Sequence, residues 1–170
     1  CALPIFENGY KGEDLSNTSQ GLKWDFILVH ESGHEWFGNN ITSRDVADMW
    51  IHEGFTNYAE CLYMNEIFDK KSANEYIVGL RKRVQNDKPV IGPYEVNKEG
   101  SADMYYKASN MLHTLRQIID NDSLFRNILN RLNEQYRYAT VTTQMIEKDF
   151  SELSGEDRKS TRLNSSHLVI

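Results

Sequence analysis

The sequence predicts a mainly α-helical domain, and three observations carry that prediction. Apolar residues recur at three- and four-residue spacing along most of the 170-residue chain. Asp, Ser and Thr, the residues that start helices, stand ahead of several of these stretches. Gly and Pro mark the breaks between them. With 39% hydrophobic residues and 26% charged, the chain is globular and long enough for one domain with a real core. Its net charge of −6, with no basic stripe, argues against a nucleic-acid partner. No run of 18 apolar residues is present, so nothing in the sequence spans a membrane.

Trp24, Ile27, Leu28, Trp36 and Phe37 give residues 22–38 a mostly helical spacing, with Gly38-Asn39 as a stop. "NNITSRD" then reads as a turn. Residues 49–68 form a long helix, with Asp48 as its N-cap. Ser72-Ala73-Asn74-Glu75 has the capping-box pattern ahead of a third helix, "YIVGLRKRV". Pro89, Gly92, Pro93 and Gly100 make "NDKPVIGPYEVNKEG" a loop. A fourth helix covers 101–119. Asp122 opens a fifth, through Tyr136, and Thr142 or Thr143 opens a last one ending near Gly155. There is no internal repeat, and the pattern is almost entirely α-helical. Cys61, on a helical pattern with Tyr58, Leu62 and Phe68, reads as a buried thiol.

One stretch asks for chemistry. In "HESGHEWFGN" His30 and His34 stand four apart, so a helix puts them one turn apart on one face, able to offer nitrogens to one ion. Glu31 lies about 100° further round the helix, beside such an ion's open side. That is the layout of a zinc-bound water with its general base. Two core histidines with satisfied nitrogens are the plain alternative. Catalytic zinc commonly takes two histidines and a carboxylate, and Glu53 lies on the next predicted helix, with eighteen residues between it and His34. Asp45 and Asp48 precede that helix and read as a loop charge and a cap. Glu60 shares Glu53's face but lies two turns away, and reads as solvated or structural. His52 reads as a surface or supporting histidine.

"HESGHEWFGN", "MWIHEGFTNY" and "MYYKA" follow one another in the order and spacing of the aminopeptidase N-like zinc metallopeptidases, a glutamate-zincin family that includes a leukotriene hydrolase. The chain resembles that family from about Tyr10 to Ser154. The resemblance implies the helical portion of a thermolysin-like metallopeptidase catalytic domain, truncated and lacking its sheet lobe. It implies one Zn²⁺ held by His30, His34 and Glu53, with Glu31 as general base. A Tyr-x-Lys-Gly pattern in the family carries an oxyanion-stabilising tyrosine. Tyr105-Tyr106-Lys107-Ala108 fits it with alanine in the glycine place, which makes Tyr105 the matching residue. Lys107 reads as structural, and Asn57, one turn after Glu53, as a group that can orient a ligating histidine.

The expected function is zinc-dependent hydrolysis of peptide bonds, with N-terminal residues removed from a peptide substrate. Epoxide hydrolysis of the leukotriene hydrolase type and a non-catalytic helical scaffold are the alternatives, with a thermolysin-like endopeptidase behind them. The family's amine-binding Gly-x-Met-Glu-Asn segment has no match here; Phe6-Glu7-Asn8 lies too close to His30. Read back into codons, Asp157 to His167 resembles a short-read sequencing adapter, and Cys1 to Ile5 its reverse complement. The catalytic-domain fragment is therefore expected over 6–156, with 1–5 and 157–170 not native and the parent's N- and C-terminal parts missing.

Overall fold

Asp25 sets the start of the first helix, in a computed structural model that describes residues 14–155. The segments 1–5 and 157–170 and Phe6-Glu7-Asn8 lie outside the described residues. The Asp25 carboxylate accepts the N–H groups of Ile27 at 3.1 Å and Leu28 at 3.2 Å, so α1 runs Phe26–Gly33. The expected helix over 22–38 is thus shorter. A 3-10 turn, Gln20–Lys23, precedes Asp25, and the chain leaves α1 at His34, well before Gly38. Gly38 has φ of +148°, which an L-residue rarely adopts, and its N–H bonds the Ile41 carbonyl at 2.8 Å. The stop there is a tight turn rather than a left-handed cap.

The chain is otherwise mainly helical, as the pattern predicts. After β1 (Ile41–Ser43) come α2 (Trp50–Ile67), α3 (Lys70–Gly79), α4 (Asp103–Ile119), α5 (Asp122–Gln135), β2 (Ala139–Val141) and α6 (Thr143–Ser154). The two strands pair in parallel, Ile41 with Ala139 and Ser43 with Val141, and Ile41 and Val141 are fully buried. They were not expected, and each is only three residues long.

Two caps also differ from expectation. Asp48 does not cap α2, whose N-cap Met49 makes no side-chain bond. Asp48 is instead buried, and its carboxylate accepts the hydroxyls of Thr143 and Tyr94, tying α2's entry to α6 and to the 84–102 loop. Asp69, not Ser72, caps α3: its side chain accepts the Ser72 N–H at 2.7 Å. α5 opens at Asp122 as expected, with Asn121 as its N-cap.

α2 is the central helix. Trp50, Ile51, Phe55, Tyr58, Cys61 and Met64 repeat at helical spacing and are at most 2% exposed. Burying side chains of this size stabilises by about 1.5–3 kcal/mol each. α1, α3 and α4 all pack on α2, α4 most extensively. Gly54 makes that approach possible, since a Cβ there would lie 2.6 Å from the Ala108 Cβ. The alanine in the family's glycine place thus meets a glycine on the facing helix. No helix among the described residues is long and apolar enough to cross a membrane.

Candidate metal centre

α1 and α2 lie side by side, and their contact brings His30, His34 and Glu53 together. One ligand atom from each lies within 4.8 Å of the other two, the one such group of His, Cys and acidic residues found among the described residues. His34 follows the last residue of α1 yet keeps right-handed backbone angles (φ −63°, ψ −15°), so the one-turn relation to His30 survives the early helix end. The Nε2 atoms of His30 and His34 lie 3.1 and 3.6 Å from Glu53 Oε2. Neighbouring ligands around a tetrahedral zinc are about 3.3–3.6 Å apart at bond lengths of about 2.0–2.2 Å. The donor set and its spacing therefore fit that ion.

The far side of each imidazole is already engaged. His34 Nδ1 bonds the Phe37 carbonyl at 3.0 Å, and His30 Nδ1 bonds Glu60 Oε1 at 2.8 Å. An Nδ1–H given to an oxygen leaves the Nε2 lone pair free to ligate. In the metal-free geometry, burial disfavours the His30 imidazolium, but hydrogen bonds and charge from Glu53 and Glu60 outweigh it and raise the pKa to about 9.

Glu60 is where sequence reasoning fell short. It is 1% exposed, not solvated. Besides His30 it accepts from Asn57 Nδ2 at 2.7 Å and from the Tyr76 hydroxyl at 2.6 Å. Asn57 correspondingly contacts Glu60 rather than a histidine, and its Oδ1 accepts from Ser109 Oγ at 2.8 Å. The one signal available was the seven-residue interval from Glu53, which returns to the same helix face. His52 points elsewhere: its Nε2 accepts the Ser43 N–H at 2.7 Å, joining β1 to α2. Lys107 is buried and donates to Asn86 Oδ1 at 2.8 Å, a structural contact.

Glu31 and Tyr105 flank the cluster. Together with His30, Phe26, Ile27 and Tyr106 they line a small pocket of about 150 Å³. The Tyr105 ring centroid is 6.0 Å from that of His30. Burial, then the charges of Glu53, Glu99, Tyr106 and Glu31, push the Tyr105 phenol up to about 12, so it remains a hydrogen-bond donor at neutral pH.

Residues 11–165 match the Peptidase family M1 domain. The chain belongs to the M1 peptidase family. Aminopeptidase N of Lactococcus lactis subsp. lactis is 29% identical over 161 residues, covering 87% of this chain and 19% of that protein. Probable aminopeptidase 1 of Sulfurisphaera tokodaii is 23% identical over 167 residues, covering 92% and 21%. The chain thus spans about a fifth of the length of these M1 relatives. An M1 zinc metallopeptidase of Deinococcus radiodurans, solved with a Tyr-Ser-Ala substrate, superposes with a TM-score of 0.72 at 22% identity. That match covers 86% of this chain and 34% of that one, and shows that the M1 helical fold is shared.

Proposed function

We propose that this M1 chain is the catalytic portion of a zinc-dependent peptidase that removes N-terminal residues from peptides. The convergence of His30 Nε2, His34 Nε2 and Glu53 Oε2, with both Nδ1 atoms already bonded elsewhere, is the observation that carries the proposal. His30, His34 and Glu53 would hold one zinc ion. When bound, zinc polarises a carbonyl oxygen and lowers the pKa of water towards 7.

The chain's own residues supply the rest. Glu31, on the pocket wall beside His30, takes a proton from the attacking water and passes it to the leaving amine nitrogen as the C–N bond breaks. The Tyr105 hydroxyl donates to the oxygen that becomes negative when water adds to the carbonyl carbon. Phe26, Ile27 and Tyr106 give the pocket an apolar wall, which limits water around the reacting groups. The exopeptidase preference is supported by the relatives, both of which are called aminopeptidases.

Full-length parent protein, assayed on aminoacyl arylamides and on the same compounds with the amine acetylated, tests the proposal. Chelator-sensitive turnover of the free-amine compounds alone is expected. Equal turnover of both would contradict removal of N-terminal residues, and no turnover of either would contradict peptidase activity.

A further inference from the structure

Resting on the zinc centre proposed above, we infer that Glu60 is its positioning residue, held in place by Tyr76 and Asn57. Glu60 carries a carboxylate in the protein interior, where an ionised group is costly unless paired and hydrogen-bonded. Three donors surround it: His30 Nδ1 and Asn57 Nδ2 on Oε1, and the Tyr76 hydroxyl on Oε2. Among the described residues, its one ion-pair partner is His30. Burial and the Glu60 charge raise the Tyr76 phenol well above its ordinary range, so the hydroxyl keeps its proton and donates it to Glu60.

The bond to Glu60 fixes which nitrogen of His30 keeps a hydrogen when the ring ligates a metal. A carboxylate only accepts. Two acceptors would face each other at 2.8 Å unless His30 Nδ1 carries a hydrogen. A metal ligand must be the neutral ring, in which that hydrogen is the sole one and Nε2 presents its lone pair. The same ring is gripped from both sides by one helix. Glu53 meets Nε2 at 3.1 Å and Glu60, two turns on along α2, meets Nδ1 at 2.8 Å. The chain of bonds continues from Asn57 to Ser109 on α4, four residues after Tyr105. One buried network therefore links the ligating ring on α1 to the helix that presents the phenol.

Zinc affinity of the full-length chain, read by competition with a chromophoric chelator, tests this alongside the melting temperature of the metal-free protein. Glu60→Gln keeps the size but removes the charge, and turns an acceptor-only group into one that can present N–H to Nδ1. The expected result is zinc binding 10- to 100-fold weaker, the usual range for losing such a partner. Tyr76→Phe strips one donor from Glu60, and a several-fold loss is expected; it carries the test if Glu60→Gln does not fold. Zinc affinity within twofold of wild type in a folded variant, with only the melting temperature changed, would make Glu60 a packing residue and overturn the inference. A wild-type chain that binds no zinc would instead overturn the proposed centre itself.

Discussion

Glu31 and His30 are neighbours in sequence to which the proposed mechanism gives different roles, and the difference comes from what each touches. His30 is fixed through both ring nitrogens, whereas Glu31 faces the pocket. Glu31→Gln should lower kcat/KM by about 10²–10⁴-fold while bound zinc, measured by metal analysis, stays at the wild-type level. A second residue-scale prediction concerns His113, on α4. Burial, then the charges of Arg116, Arg81 and Lys70, lower its pKa to about 4, so the folded state holds a neutral ring. The unfolded chain, with an ordinary value near 6.5, binds more protons between about pH 6.5 and 4. Stability from this ring is complete above that window and is lost as pH falls through it. Urea unfolding at stepped pH should show that loss, and His113→Gln should flatten it.

At the scale of elements, the face of α2 that meets α4 sets the distance between Glu53 and Tyr105. Gly54→Ala would push a methyl against Ala108 Cβ and the Met104 carbonyl, and overpacking of this kind costs about 1–3 kcal/mol, readable as a lower denaturant midpoint. α2 and α4 were legible in sequence because their apolar residues keep helical register over seventeen or eighteen residues. The capping box at Ser72 misled because Asp69, three residues earlier, is an equally good cap that lengthens α3. The early end of α1 and the start signal at Asp25 were present but outweighed by the apolar run through Phe37. β1 and β2 were not legible: each is three residues long, and their partners lie 98 positions apart, as Ile41 and Ala139 do. Glu60 was missed for a related reason. Its burial depends on Tyr76 arriving from α3, a tertiary event that no local pattern encodes.

For the whole molecule, the site is assembled from four helices and therefore reports on the fold as a unit. A ligand that binds only the folded state stabilises it by RT ln(1 + [L]/Kd), about 2.7 kcal/mol at a hundredfold excess over Kd. Removing zinc with a chelator should lower the melting temperature, and added zinc should restore it; an unchanged midpoint would mean that no folded-state site exists. A broad apolar groove of about 480 Å³ runs between α1, α2 and α5, lined by Leu28, Val29, Trp36, Leu62, Tyr63 and Leu129. Leu28 and Trp36 are 49% and 57% exposed, so this face brings sizeable apolar surface to solvent. The most direct measurement is a crystal structure of the zinc-loaded protein with anomalous data at the zinc edge. One peak bound by His30 Nε2, His34 Nε2 and the Glu53 carboxylate, each at about 2.0–2.2 Å, is the predicted result. A peak elsewhere, or one that leaves Glu53 beyond bonding distance, would contradict it.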